Sequence, residues 1–158
     1  MFVSQTVVSY LDRLGIEHEM VTHRHTACSG ETAHAAHIEP KQLAKAVLLR
    51  SNDDYVLAVV PASRYVNPAA LSRLLGSERM TFANEDEMPY IFRDCETGAL
   101  PIVGDAFGIK TAVDDALLDQ AEAGGGPRAM DRMRQRGKLP VRERIANVLD
   151  LRLRGSAL

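Results

Sequence analysis

Tryptophan is absent from this 158-residue sequence, aromatic residues make up only 5% of it, and it holds two cysteines. With so few rings, a core has to be assembled from Val, Leu, Ile and Ala. Cys28 and Cys95 lie far apart and form no Cys-x-x-Cys pair. That excludes a disulfide-stapled fold and fits free thiols in a reducing compartment. No apolar run approaches the roughly 20 residues that span a bilayer, and the N-terminus lacks the basic and apolar regions of a secretion signal. The expected location is the cytoplasm, with no membrane partner. Also missing are a Gly-x-Ser-x-Gly elbow, a His-Glu-x-x-His helix, a phosphate-cradling Walker loop and a dinucleotide fingerprint.

What remains is 46% hydrophobic and 25% charged, a composition that folds. The length allows one domain plus a tail. Charge divides unevenly: residues 1–119 carry 10 Lys and Arg against 17 Asp and Glu, and residues 120–158 carry 9 against 4. An acid-rich body cannot grip nucleic acid by bulk electrostatics, because that affinity comes from Lys and Arg neutralising phosphates. A nucleic-acid partner would be held at few points or through the basic tail.

Val7, Val8, Leu11 and Leu14 recur at helical spacing between Ser4 and Gly15, which predicts an opening helix. A short strand is expected at Glu19 to Thr22, then a helix from Ser29 through Ala33 to Ile38 and a further helical turn at Pro40. Ala46 to Leu49 and Tyr55 to Val60 are β-prone runs separated by Asn52-Asp53-Asp54, a hairpin pattern. Pro68 to Leu75 reads as a helix stopped by Gly76, Met80 to Phe82 as a strand, and Asn84 as the cap of a helix running to Phe92. Gly98, Pro101, Gly104 and Gly108 break up an apolar stretch that reads as a site-forming loop. Thr111 to Val113 is expected as a strand and Asp114-Asp115 as the start of a helix to Leu118. Gly124 to Pro127 is a linker, and Val141, Ile145, Val148 and Leu149 mark a basic amphipathic helix.

Three features could carry chemistry. Lys45 stands directly before four apolar residues, so its ammonium must reach a cavity, where it could capture an anion, or snorkel to water like any strand-start lysine. The segment Gly98-Ala99-Leu100-Pro101-Ile102-Val103-Gly104 could offer main-chain N–H groups to a carbonyl or phosphate oxygen, or be an ordinary tight connection. All five histidines fall within the first 37 residues. Without a third ligand at motif spacing they read as surface or cap residues, and no metal is assigned.

Three stretches in order resemble the YbaK/ProX family, relatives of the editing domain inserted in bacterial prolyl-tRNA synthetases: Leu43 to Leu49, Tyr55 to Val60, and Asp94 to Gly104, with Phe107 to Ile109 and Val113 to Leu118 also fitting. The resemblance covers about residues 1–119, leaving 120–158 as a divergent Gly-linked basic tail. It implies an α/β fold with a mixed sheet curled into a partly open barrel and flanked by helices. It implies further a hydrolase that removes small, wrongly attached amino acids from tRNA without a cofactor. Lys45 would bind the terminal nucleotide, and Gly98, Ala99, Pro101 and Gly104 would hold the ester carbonyl. Aminoacyl-tRNA is the implied substrate and a synthetase an implied associate. Members that remove alanine tend to carry Asn after the lysine, whereas this chain has Ala46, leaving cysteine or another small residue open. After Leu118 relatives usually add strands and a closing helix, so a non-catalytic ligand-binding or regulatory module is the competing expectation.

Overall fold

The unbroken apolar run at 46–49 and its partner at 55–60 do become the centre of the molecule. In the computed structural model, which describes residues 3–52, 54–96 and 98–123, they form strands β1 (Ala44–Ser51) and β2 (Asp54–Pro61). These pair antiparallel from Ala44 opposite Pro61 to Ser51 opposite Asp54, and Asn52 takes a left-handed φ of 54° in the turn. Strand β3 (Met80–Phe82) adds antiparallel to β1, and β4 (Lys110–Val113) adds parallel to β2. The order is β3-β1-β2-β4, a mixed sheet that is not closed among the described residues.

Because successive side chains on a strand point to opposite faces, β1 divides its residues between two cores. Val47 and Leu49 join Val56, Ala58, Val60, Leu71 and Ala112 on one face. Ala44, Ala46 and Leu48 join Leu57, Val59, Phe92, Ile109 and Val113 on the other. Leu48, Leu49, Leu57, Leu71 and Val60 are fully buried. Each such side chain contributes roughly 1.5–3 kcal/mol of transfer free energy, so this sheet, covered on both faces, is where most of the stability resides.

Helices close the two faces. The first core is capped by α3 (Pro68–Leu75), which starts where the Asn67 side chain accepts the Ala69 and Ala70 N–H groups and stops at left-handed Gly76. The second is covered by α4 (Met88–Ile91), by Phe92, Cys95, Leu100, Phe107 and Ile109, and by α5 (Asp115–Glu122), whose N-cap is Asp114. An opening helix α1 (Gln5–Arg13) is capped by Ser4, as its spacing predicts.

Three local expectations fail. Glu19 to Thr22 is not a strand: all four residues are exposed, and they pair with none of the four strands, which leaves their backbone groups to water. Helix α2 (Ser29–Ala35) ends before Ile38, since His37 adopts a φ of 55° that a right-handed helix cannot contain. Pro40 opens a turn rather than a helix, with Gln42 N–H donating to the Glu39 carbonyl at 2.8 Å. The expected linker at Gly124 and the basic helix after it lie outside the described residues.

Candidate functional site

Lys45 is the second residue of β1, opposite Val60, and shares the pleat face of Val47 and Leu49. Its ammonium donates a long hydrogen bond, 3.4 Å, to the Ala62 carbonyl and sits 4.9 Å from the centre of the Tyr65 ring. It has no carboxylate partner among the described residues. The half-buried lysine therefore reaches neither a salt bridge nor open water alone, and keeps donor capacity for an anion.

The segment ahead of the Gly/Pro loop is held by Asp94. Its Oδ2 accepts the Ser4 hydroxyl at 3.0 Å and the Thr6 N–H at 2.8 Å, which ties the start of α1 to this region. Those donors hold the Asp94 carboxyl below the usual carboxylate value, the Thr6 N–H contributing most. Burial pushes the neighbouring Cys95 thiol upward, the opposite of what a nucleophile needs.

Within the loop the four predicted residues have different lives. Gly98 takes a φ of 85° with open space where a side chain would be, so its conformation requires glycine. The Ala99 N–H is already spent on the Glu96 carbonyl at 2.9 Å. Pro101 has no N–H to give. Gly104 is buried against Thr111 and the Ile109 carbonyl, where a Cβ would collide with both, so close packing on β4 accounts for it. Of the loop's main-chain N–H groups, those of Gly98, Leu100, Ile102, Val103 and Gly104 have no partner among the described residues. Residue type could not reveal the full set, since Leu100, Ile102 and Val103 carry no mark in the sequence that their N–H groups stay without a partner.

Lys45 and Leu100 of the loop lie on opposite faces of the sheet. Leu100 packs with Ala44, Ala46 and Leu48, on the face of the sheet away from Lys45, and Gly104 packs on Thr111, which pairs with Leu57 on that same second face. Two surface depressions lie elsewhere: one of about 680 Å³ between α3 and β3, lined in part by Asn67, Arg73, Arg79 and Phe82, and one of about 480 Å³ beside α1 at Thr6, Tyr10 and Arg13.

The histidines do not converge. His18 and His23 turn their Nδ1 atoms to the carbonyls of Ile16 and Arg24, and among the described residues no three His, Cys, Asp or Glu side chains gather as a metal site would need. Nor, among those residues, is any helix long and apolar enough to cross a membrane.

Comparison with solved structures shows the same fold at low identity. The hypothetical protein APE2540 aligns with a TM-score of 0.65 and 18% identity, covering 85% of this chain and 96% of that one. A candidate trans-editing enzyme for prolyl tRNA synthetase aligns at 0.62 with 22% identity, covering 75% and 76%. A structure from work on epitope backbone grafting by computational design aligns at 0.61 with 19% identity, covering 75% of each chain. Comparison with curated proteins gives no match. Residues 23–132 match the family described as the aminoacyl-tRNA editing domain, an interval that contains β1, β2, Lys45 and the whole Gly/Pro loop, and the chain belongs to that family.

Proposed function

We propose that this chain is a trans-editing hydrolase that deacylates mischarged aminoacyl-tRNA bearing a small amino acid, with Cys-tRNA(Pro) and Ala-tRNA(Pro) as the first substrates to try. The observation that carries the reading is the family match across both the lysine and the loop, reinforced by an ammonium with no carboxylate counter-ion among the described residues. An aminoacyl ester is already reactive, so the enzyme need only orient it and stabilise the oxyanion that forms. Water adds to the carbonyl carbon, the bond to the ribose oxygen breaks, and that oxygen leaves with a proton. Lys45 engages the charge of the terminal nucleotide. The 98–104 segment, with Gly98, Ala99, Pro101 and Gly104 shaping its backbone, aims its unpaired N–H groups at the ester carbonyl.

In this reading the substrate crosses the margin of the sheet where β1 begins, met by Lys45 from one face and by the loop from the other. Selectivity follows pocket volume: a synthetase gains only about 1–3 kcal/mol per methylene, and a second, smaller site removes what slips through. An editing domain over 1–119 with a basic tail over 120–158, work in the cytoplasm and association with a synthetase belong to the same proposal.

A second reading, a ligand-binding module that keeps the fold without turnover, is favoured by the opposite-face arrangement of Lys45 and Leu100. Hydrolysis of a panel of mischarged tRNAs by wild type and Lys45→Ala separates the two. Turnover lost in the variant supports the hydrolase, and no turnover on any substrate leaves the module.

A further inference from the structure

Among the large hydrophobic residues described, Tyr65 is the most exposed, at 89%, and it stands on a segment that is tightly held. An exposed ring alone means little, since single apolar groups are common on surfaces. What distinguishes this one is its support. On its N-terminal side Ala62 N–H donates to the Leu43 carbonyl at 2.7 Å, and Arg64 Nη1 donates to both carboxylate oxygens of Asp114, 2.9 Å each. On its C-terminal side Val66 is buried in the first core. The backbone on each side of Tyr65 is thus anchored while the ring itself is presented to solvent.

The second observation is the neighbour. The Lys45 ammonium sits 4.9 Å from the ring centre, within the range where a cation is attracted by an aromatic face, and it has no carboxylate among the described residues. A rigid aromatic plane beside a cation with spare donors matches the chemistry of a nucleotide: a base has a π-face to stack and its phosphate has oxygens to pair. In an acid-rich body this is one of the few points that could hold a polyanion.

Building on the editing reading of Lys45, we propose that Tyr65 is the stacking platform for the 3′-terminal base of the acceptor strand, with Lys45 taking the adjoining phosphate. The base lies on the ring, and the amino acid esterified to its ribose is carried toward the start of β1. Stacking is indifferent to which amino acid is attached, so Tyr65 sets affinity for the RNA end and not the choice of ester.

The test uses the trinucleotide CCA. The chain has no tryptophan, so its intrinsic emission comes from four tyrosines and a stacked base should quench part of it. Calorimetry gives affinity independently, and circular dichroism checks that each variant is folded. Tyr65→Phe is expected to keep affinity within about twofold while losing most of the quench, and Tyr65→Leu to weaken binding roughly tenfold. Wild-type affinity in Tyr65→Leu, a full quench in Tyr65→Phe, or no binding of CCA by wild type at millimolar concentration overturns the proposal. The outcomes stay separable from those of the editing reading. If CCA binding follows the Phe/Leu pattern while no mischarged tRNA is hydrolysed, the platform stands and the hydrolase falls. If hydrolysis depends on Lys45 while Tyr65→Leu leaves KM and CCA affinity unchanged, the hydrolase stands and the platform falls.

Discussion

Asp94 accepts the Ser4 hydroxyl at 3.0 Å across 90 positions of sequence, while Ser4 itself accepts the Val7 N–H at 3.2 Å as the cap of α1. One carboxylate thereby fixes a helix start and the approach to the Gly/Pro loop. The Asp94 carboxyl is held below its ordinary value by the Thr6 N–H above all, with the Ser4 hydroxyl also contributing. A group whose folded pKa is depressed adds stability that is fully present above its unfolded value, about 4, and is lost as pH falls through the folded one. Asp94→Asn should therefore destabilise the protein at neutral pH and flatten the acid limb of its stability curve below about pH 4. Urea melts of both proteins at several pH values check this. Parallel acid limbs would show that the carboxylate is not linked to folding.

Arg64 and Asp114 form another long-range polar tie. Asp114 is 3% exposed, accepts the Ala116 N–H as the cap of α5 at 2.8 Å, and donates its own N–H to the Val59 carbonyl. Arg64→Ala leaves that buried carboxylate without its cation and should cost about 1–3 kcal/mol, discounted from a fully buried pair because the arginine is itself partly exposed. Asp114→Ala should cost about 1 kcal/mol more through the lost cap. A double-mutant cycle in urea reads the coupling, and additive losses would mean the pair contributes nothing.

The hairpin was legible because two apolar runs flanked Asn52-Asp53-Asp54, and α3 because Pro68 and Gly76 mark a helix start and stop. The 19–22 segment misled because β-propensity expresses fitness for a pleated, half-buried surface, and Met20 and Val21 stay largely exposed. At the site, residue types located Lys45 and the loop but not their relation. Which face Lys45 takes depends on strand register, and a one-residue shift would have sent it to the side of Leu100. The spent N–H of Ala99 was equally hidden, since the hydrogen bond that occupies it is a property of the folded loop.

Gly98 and Gly104 look alike in the sequence and should respond differently to alanine. At Gly98 the penalty is a left-handed backbone with open space around it, so Gly98→Ala should cost about 1 kcal/mol. At Gly104 the new methyl meets Thr111 and the Ile109 carbonyl, so β4 or the 104–107 turn must shift, at about 1–3 kcal/mol. Thermal melts distinguish the two. Equal losses would remove close packing as the reason for glycine at 104.

The two thiols give a last test, because they differ in exposure. Cys28 is exposed, while Cys95 is half-buried, and burial followed by the Asp94 charge pushes its thiol up. Thiolate is the reactive species, so iodoacetamide at about pH 8 should label Cys28 several-fold faster than Cys95. If the ester is hydrolysed by oriented water, Cys95→Ser should retain deacylation in the same preparations that lose it on Lys45→Ala. Labelling at Cys95 that is faster than at Cys28, together with loss of turnover in Cys95→Ser, would instead make the thiol a nucleophile and require a covalent acyl intermediate that mass spectrometry could trap.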